Sequence, residues 1–458
     1  QWFQRQLDMN RMKQYREADG SLNSWNIGDP NATSDFSSYG LPQYWDNPYF
    51  VVNENYTTQK NNRLVGNIGF TYKFNNHLSL QSNARMNSYY NENTGRMATG
   101  SLTLPYYRQS QNQYKEMNYE ANLIYKNKFG AFSVDGLAGG NIRRNSYSQM
   151  SLATEGGLSS PNYFDIAASV SRPSFTRSYE KKIVNSVYGK ASFGYKDFLY
   201  VDGTIRNDWS STLPVDNRNY FYPSAGLSYI FTDALNISNK ILSYGKVRAN
   251  FAQTKRDVPP YQLATTYNVT SPSYLTPSGA TIYSASLSDA LKNAGLKPEG
   301  LKEIEFGADL NFLDGRIKMD LTYYVKTSTD LFVTKRIPVS SGFSTQAINA
   351  GSIENKGYEA GLDFTWIKTN SGFTWNTYFA FNRVVSQVLK TDDQDADIIL
   401  GNGAFIANVQ RVGQPFGMLY GLGAARDADG NRLIWPGQGG SGGTHIYAEQ
   451  DDIIGNPN

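Results

Sequence analysis

The residues that come closest to a nucleophilic site lie near the end of the chain, in the run GQGGSGG. Gly439–Gly443 matches the G-x-S-x-G pattern around Ser441, and His445 follows closely. A nucleophile elbow requires a strand before the serine and a helix after it. This serine instead lies in a glycine-rich run of the kind that forms flexible loops, and no pattern supplies the rest of a triad. The sequence therefore favours a loop, and we predict that the protein is not an enzyme.

A second candidate is a metal site, because Asp427–Asn431 places oxygen ligands at alternate positions. A calcium-binding EF-hand loop needs glycine at its sixth position and glutamate at its twelfth, and these positions hold Arg432 and Gln438. The chain has no cysteine, and its two histidines, His77 and His445, are far apart in sequence. We therefore expect a polar turn at 427–431, and neither a metal centre nor a cofactor.

The overall charge argues against a nucleic-acid partner. The chain carries 43 basic and 40 acidic side chains, a formal net charge of only +3 over 458 residues. One local concentration of acidic residues occurs, and it consists of Asp392, Asp393, Asp395 and Asp397. We expect this loop to be solvated, with cation binding as the lesser alternative.

The remaining charged residues recur at alternate positions in strand-like segments. In NAGSIENKGYEAGLDFTW (349–366), apolar residues occupy even positions from Tyr358 to Trp366, whereas Glu359 and Asp363 occupy odd positions. Such alternation predicts a strand with one apolar and one polar face. In a soluble sheet the apolar face packs inward, whereas in a membrane barrel it contacts lipid and the polar face lines a lumen.

The spacing of the strands favours the membrane barrel. About twelve strands of about 9–11 residues can be read, the length that crosses a bilayer at a tilt. Short and long connections alternate, and aromatic residues cluster around the short ones, as expected for periplasmic turns and long outer loops. A soluble sandwich or propeller has shorter strands and no such sorting of loops. The predicted short turns are 75–76, 127–130, 196–197, 313–315 and 368–372, with 232–245 somewhat longer. The predicted long segments are 88–115, 143–183, 207–222, 254–301 and 327–356.

In this barrel the polar faces predict residues that line the lumen, and the outer segments predict residues that meet a substrate. The lumen-facing candidates are Arg85, Glu120, Asp309, Asp320, Glu359 and Asp363. The substrate-binding candidates are the aromatic residues Trp45, Tyr49, Tyr106, Tyr107 and Tyr274. Aromatic faces suit sugar rings and peptide side chains equally, so the sequence leaves both substrate classes open.

An ordered series of motifs resembles the SusC/RagA-type transporters, the TonB-dependent outer-membrane proteins of Bacteroidetes. The motifs include YWDNPYF (44–50), IRNDWSSTLP (205–214), LKPEGLKEIEFGADLNFLDGRIKMDLTYY (296–324) and SGFSTQAINAGSIENKGYEAGLDF (341–364). The resemblance covers nearly the whole chain. It implies an all-β transmembrane antiparallel barrel of about 22 strands with a plug domain, located in the outer membrane.

The resemblance also implies a function and partners. The function is import of oligosaccharides or peptides, with a SusD-like surface lipoprotein as a lid and TonB–ExbB–ExbD acting through an N-terminal region. The expected surroundings are outer-membrane lipid, and no nucleic acid is expected. An alternative is a barrel kept as a structural or assembly component without transport, and a siderophore receptor is a third hypothesis with the same architecture.

The plug and the TonB box of that family are not found in this sequence, so we expect an interior portion of the barrel. We expect residues 1–63 to form an extracellular loop region that leads into the barrel. Residues 64–384 would supply barrel strands, and residues 385–458 a further loop and barrel segment without the last strands.

Overall fold

The strands of this chain form one large sheet and several small ones. The computed structural model describes residues 8–16, 18, 22–23, 44–237, 239–275, 277–278, 280–402, 406–424, 429–431, 434–435, 446–447 and 449–455. By proximity of the backbone, the chain divides into two compact units. The first unit comprises Gln1–Ile68, Asn83–Tyr119 and Arg143–Lys182, and the second comprises Gly69–Ser82, Glu120–Ile142 and Ile183–Asn458.

Regular structure is almost entirely extended. The strands are β1 (Thr57–Lys73), β2 (Leu78–Met97), β3 (Tyr106–Phe129), β4 (Phe132–Leu158), β5 (Ser169–Tyr195), β6 (Leu199–Ser210), β7 (Asn219–Ile230), β8 (Leu242–Arg256), β9 (Tyr267–Leu275), β10 (Thr281–Leu287), β11 (Ala290–Leu291), β12 (Glu299–Phe312), β13 (Ile317–Thr329), β14 (Phe332–Arg336), β15 (Thr345–Asn349), β16 (Ser352–Lys368), β17 (Thr374–Lys390), β18 (Ile398–Asn402), β19 (Ile406–Gln410), β20 (Met418–Ala424), β21 (Ile434–Trp435), β22 (Ile446–Tyr447) and β23 (Glu449–Gly455). The helices are Met9–Met12, Pro48–Glu54 and Phe231–Ala234, with 3-10 turns at Ile166–Ala168 and Val339–Ser341.

The large sheet is antiparallel and has twelve strands in the order β1-β2-β3-β4-β5-β6-β7-β8-β12-β13-β16-β17. Each of its strands lies beside the next such strand along the chain, which is the up-and-down arrangement that the sequence predicts. The small sheets lie in the connections, where β9 pairs with β10 and β15 lies between β11 and β14. No helix in the described part of the chain combines the length and the apolar character needed to cross a bilayer.

The predicted number of strands is confirmed, but their predicted length is wrong. Both β4 and β5 have 27 residues, and the shortest strands of the large sheet, β6 and β7, have 12. The sequence pattern underestimates length because only a bilayer-crossing stretch needs alternating apolar residues. Outside the bilayer-crossing stretch, both faces of a strand can be polar while the backbone hydrogen bonds continue. The polar stretches that begin β3 and end β4 are examples.

The predicted alternation of short and long connections holds except at 231–241, which is longer than three of the connections predicted to be long. The connections at the predicted turns are 74–77, 130–131, 196–198, 231–241, 313–316 and 369–373, and the others are 98–105, 159–168, 211–218, 257–298 and 330–351. Three of the predicted long segments are therefore mostly strand. The tightest short turn has Gly130 at a φ of 58°, a left-handed conformation that glycine adopts without strain.

Aromatic rings lie side by side at the short connections of the second unit. Phe132 and Tyr195 have ring centroids 5.0 Å apart, Tyr195 and Phe198 5.5 Å, and Phe198 and Tyr229 6.2 Å. The four residues come from the adjacent ends of β4, β5 and β7 and from the turn before β6. The structure thus forms a continuous aromatic row where the sequence predicts an interfacial girdle.

The register of the second unit separates polar from apolar residues. Directly paired residues point to the same side of a sheet. One polar row runs across five strands through Arg248, Gly307, Thr322, Glu359 and Asn382. Every position in this row is polar or glycine, so the polar face predicted from the alternation is continuous.

The neighbouring row lies on the opposite face of the same strands. It runs through Val247, Ala308, Leu321, Ala360 and Phe381. Phe381 keeps 59% of its surface exposed although it lies in the middle of a strand. A sheet that exposes its large apolar side chains along one whole face needs an apolar surrounding to cover them.

A small buried core organises one group of connections. It consists of Leu213, Tyr220, Val258 and Leu296, with Phe332 packed against it. These residues belong to the connections 211–218 and 257–298 and to the starts of β7 and β14. Apolar burial between separate connections gives this layer a defined structure.

The two faces predict opposite responses to a new charge at adjacent positions. Phe381→Arg should impair assembly into the outer membrane, because a cation on the lipid-facing side costs roughly 2–4 kcal/mol at mid-membrane. Asn382→Arg should be tolerated, because position 382 pairs in register with Glu359 on the polar face. The amount of heat-modifiable, folded protein in isolated outer membranes measures both effects. Equal loss for the two variants would contradict the assignment of faces.

Candidate functional site

The polar face of the second unit is organised around Arg248 on β8. Its Nη1 atom lies 2.8 Å from Oδ1 of Asp309, and its Nε atom lies 3.3 Å from Oε1 of Glu305. Its Nη2 atom donates to Oδ1 of Asp320 at 3.1 Å and to Oγ1 of Thr322 at 2.5 Å. The side chain is only 19% exposed. Arg248 therefore joins β8, β12 and β13 through side-chain hydrogen bonds in addition to their backbone ladder.

The same strands bring further polar groups to this cluster. Lys246 lies 2.7 Å from Oδ2 of Asp309, and Asn250 donates to Oε1 of Glu305 at 3.3 Å. Gly307 leaves room for the guanidinium of Arg248, because a Cβ there would lie 2.4 Å from its Nε atom. An open recess of about 640 Å³ adjoins the cluster. Residues that line it include Arg248, Glu305, Asp320, Thr322, Glu359, Tyr378 and Asn382.

A second polar cluster lies on the same face of β5, β6 and β7. Arg206 donates from Nε to Oδ1 of Asp208 at 2.9 Å and from Nη2 to Oγ of Ser186 at 2.9 Å. The hydroxyl of Tyr222 donates to Oδ2 of Asp208 at 2.7 Å. The guanidinium of Arg206 also lies 5.2 Å from the ring centroid of Tyr188. Asp208 is buried, and these partners satisfy its charge.

This cluster extends to β3 through Tyr188. Its hydroxyl donates to Oδ1 of Asn122 at 2.8 Å, and Nδ2 of Asn122 donates to Oε1 of Glu120 at 2.6 Å. The side chains pass over Gly139 of the intervening strand β4. A Cβ at position 139 would lie 2.1 Å from Oδ1 of Asn122. The glycine therefore allows these hydrogen-bonded side chains to cross β4.

Most of the predicted lumen-facing residues share one face of the sheet. Asp309 pairs with Asp320 in register, and Asp363 and Glu359 occupy the same face of β16. Glu120 lies on the same face, because Asn122 connects it to Tyr188 by hydrogen bonds. The strands that carry Tyr188 and Arg206 continue in register to β8. Arg85 lies in β2 of the first unit and is exposed. Whether this face lines a lumen stays a prediction.

The predicted substrate-binding aromatics lie in several places. Trp45 and Tyr49 lie at the start of the helix Pro48–Glu54, and Tyr106 and Tyr107 begin β3. The backbone of Tyr274 lies in β9, and its side chain lies outside the described part of the structure. Trp45 is half-exposed. The structure does not test their contact with a substrate.

The helix that carries Tyr49 is anchored through the buried Asn47. Its Oδ1 atom accepts from the backbone N–H of Tyr49 at 2.9 Å, which caps the helix. Its Nδ2 atom donates to the carbonyls of Met12 at 3.1 Å and of Asn23 at 2.7 Å. Phe50 on this helix is 1% exposed. Tyr49 therefore lies on an anchored helix.

The acidic loop after β17 is more fully paired than its sequence predicts. Asp392 forms an ion pair with Lys335, and its Oδ1 atom accepts from the backbone N–H groups of Gln394 and Ala396. The bond to Lys335 and then the two N–H groups lower the pKa of Asp392 to about 2. Asp397, in the same loop, lies 2.6 Å from Arg411. The expectation of solvated charge missed these basic partners, because Lys335 and Arg411 lie outside the loop, on either side of it in sequence.

The catalytic and calcium-like motifs cannot be placed. Gly439–Gly443 and His445 lie outside the described residues, and so do Asp427 and Arg432. Within the part of the chain that the structure describes, no group of three or more histidine, aspartate or glutamate side chains could hold a metal ion.

Sequence reasoning missed the basic centres of both clusters. Arg248 and Arg206 were not singled out, although each lies at an alternate position in a predicted strand. The available signal was the spacing in KVRANFAQ, where Lys246, Arg248 and Asn250 fall on one face. The carboxylates that these arginines bind are determined by the register between strands, which cannot be read from the sequence.

Comparisons with known proteins agree with this architecture. A profile of the family described as TonB dependent receptor-like, beta-barrel matches residues 6–450. TonB-dependent receptor P3 of Formosa agariphila is 28% identical over 427 residues, which covers 86% of this chain and 40% of the relative. TonB-dependent receptor SusC of Bacteroides thetaiotaomicron is 25% identical over 411 residues, which covers 83% of this chain and 39% of the relative.

Solved structures show the same fold. The RagAB peptide importer in its closed-closed state matches with a TM-score of 0.75 at 18% sequence identity, over 95% of this chain and 48% of the matched chain. Its open-open state matches with a TM-score of 0.75 at 17% identity. The chain spans about two fifths of the length of the curated relatives and about half of that of the matched structures.

The two-faced sheet of twelve strands and these matches place the chain among outer-membrane β-barrel proteins. The chain belongs to the TonB-dependent receptor-like β-barrel family. The predicted family and outer-membrane location are confirmed, with a SusC protein among its relatives. The all-β fold is also confirmed. In the described residues the sheet remains open, with β1 and β17 as its edges.

Removing Arg248 should destabilise the sheet. In Arg248→Gln, Glu305, Asp309 and Asp320 lose charge-assisted hydrogen bonds, which we expect to lower the free energy of unfolding by roughly 1–3 kcal/mol. Urea unfolding of the complete protein in lipid vesicles measures this change. The double variant Arg248→Gln/Glu305→Gln should recover part of the loss, because it also removes the carboxylate charge of Glu305 that Arg248 neutralises.

The matched control is Lys190→Gln, which removes a positive charge from an exposed position on the same face. It should change stability little. Equal destabilisation by Lys190→Gln and Arg248→Gln would show that the Arg248 cluster is not a special support of the sheet.

Proposed function

We propose that this chain forms part of the barrel of an outer-membrane importer of oligomeric nutrients, oligosaccharides or peptides, energised through TonB. The observation that carries the proposal is the opposition of the two faces. The polar face is held by the Arg206 and Arg248 clusters, and the apolar face is exposed. Such a wall suits a water-filled passage through lipid. The family membership and the name of the RagAB peptide importer support the same function.

In this proposal the polar face lines the passage. Arg85, Glu120, Asp309, Asp320, Glu359 and Asp363 would meet channel water or a plug domain. Residues 64–384 would form barrel wall, with residues 1–63 and 385–458 contributing outer segments and further barrel. The TonB–ExbB–ExbD system would act through a region outside this chain.

We also propose a SusD-like surface lipoprotein as a lid on the long connections. The segment 257–298 is the support for this partner, because Tyr261 is 60% exposed and Tyr267 is 72% exposed there. Exposed tyrosines are enriched at protein interfaces, where the ring is buried and the hydroxyl remains hydrated. The core around Val258 and Leu296 holds the two ends of this segment in place.

Transport is tested by uptake in cells. Deletion of the gene should abolish uptake of a labelled oligomer mixture, and the complete gene should restore uptake only where TonB is functional. Normal uptake without the gene would contradict the importer and leave the structural role as the alternative.

The lid itself is tested by co-purification in mild detergent. Tyr267→Ala should reduce recovery of the lipoprotein several-fold, because an interfacial tyrosine contributes more than most contacts. Phe373→Ala, another exposed aromatic residue but at a short turn, is the control and should leave recovery unchanged. Purification of the unaltered protein without any lipoprotein would refute the lid.

A further inference from the structure

The first unit contains a recess of about 360 Å³ between its strands. Residues that line it are Thr57, Asn93, Thr94, Gly95, Arg108, Gln109, Ser110, Ser151, Leu152, Ala153, Ser174 and Thr176. Small side chains form most of this lining, and hydroxyl groups are frequent. Among the described residues that line the recess, none is aspartate or glutamate, and one, Arg108, carries a positive charge.

Arg108 is exposed and forms no ion pair with a carboxylate among the described residues. Its side chain lies over Gly95, where a Cβ would come within 2.6 Å of its Nε atom. Its guanidinium lies 5.9 Å from the ring centroid of Tyr106. The nearby carboxylate of Glu92 accepts instead from Gln109 at 3.2 Å. Among the described residues no ion pair neutralises Arg108, and the side chains of Ser110, Ser151 and Thr176 line the same recess.

A polar aromatic cluster continues from the recess along the same strands. Tyr89 and Tyr114 stack with ring centroids 5.2 Å apart. Nδ2 of Asn145 donates to the hydroxyl of Tyr114 and to Oε2 of Glu116, each at 2.8 Å. These two bonds fix the orientation of the Asn145 amide, which leaves its Oδ1 atom free to accept a hydrogen bond.

Several polar atoms of this cluster are buried without a hydrogen-bond partner in the described part of the chain. They are Oδ1 of Asn91, Asn112 and Asn145, and Nε of Arg143. Asn91 and Asn93 lie two residues apart on β2, and Ser110 and Asn112 lie two apart on β3, so cluster and recess share a face. Unsatisfied buried groups require a water or a ligand group.

From these observations we propose that the recess binds an anionic oxygen group, a carboxylate or a sulfate, carried by the imported oligomer. Arg108 binds the anion with a charge-assisted pair of hydrogen bonds, and the hydroxyls of Ser110, Ser151 and Thr176 lie along the same recess. The asparagine oxygens of the cluster accept from hydroxyl or amide groups of the adjoining part of the oligomer. This inference rests on the proposed import function, because it takes the cargo as the ligand.

The test compares oligomers that differ only in the anionic group. The probes are trigalacturonate and its methyl ester, a sulfated trisaccharide and its desulfated form, and the peptides Ala-Ala-Glu and Ala-Ala-Gln with amidated ends. Binding to the complete protein, purified with any partner it retains, is measured by titration calorimetry. At least one anionic member should bind roughly tenfold more tightly than its neutral counterpart. Which pair shows the preference identifies the source of the anion.

Two variants locate the preference in the recess. Arg108→Gln should abolish it while leaving the affinity for the neutral member unchanged. Gly95→Ala keeps the charge but displaces the guanidinium, so it should reduce the preference partially. Arg144→Gln removes an exposed arginine on the opposite face of β4 from Arg143 and Asn145, and should have no effect.

The proposal is overturned if no anionic member is preferred, or if the preference survives Arg108→Gln. Either result leaves the import function intact when uptake in cells still depends on the gene and on TonB. Conversely, a preference that depends on Arg108 in a protein without uptake would support the site and reject the importer.

Discussion

The structure depends on one constraint, which is that a sheet in a bilayer must satisfy every backbone hydrogen bond within itself. An antiparallel ladder meets this requirement between strands, and the period of two then decides which side chains meet lipid. In this chain the row from Val247 to Phe381 is apolar at every step, and the row from Arg248 to Asn382 is not. A shift of one residue in any strand would exchange the two rows locally, so register is specified strongly.

On the polar face, the structure must stabilise charged side chains. Charged groups such as Arg248 and Asp309 are partly withdrawn from water, and they are stable there because each has an oppositely charged partner within hydrogen-bonding distance. Gly307 makes the contacts of Arg248 possible by leaving space above the strand, and Gly139 leaves space for the hydrogen bond between Tyr188 and Asn122. Glycines on the polar face are therefore part of the arrangement of ion pairs and hydrogen bonds, since a side chain there would displace them.

Much of the fold could be predicted because its physical signals are local. Alternation in segments such as 357–366 and turn residues such as Asp314-Gly315 depend on neighbours in sequence, and all twelve strands of the large sheet follow from them. The lengths of the strands could not be predicted from the sequence, because β3 and β4 continue through polar residues that do not alternate with apolar ones. The partners of Arg248 were also hidden, because Asp309 and Asp320 reach it only through pairing across strands distant in sequence.

The most direct measurement of the two-faced sheet is a spin-label scan of residues 357–366, one cysteine at a time. The native chain has no cysteine, so each label reports one position. Power saturation compares collisions with oxygen, which concentrates in lipid, and with a water-soluble nickel chelate. Our account predicts oxygen maxima at Tyr358, Leu362 and Phe364, alternating with nickel maxima at Glu359 and Asp363. Oxygen and nickel accessibilities that rise and fall together along the strand would contradict it.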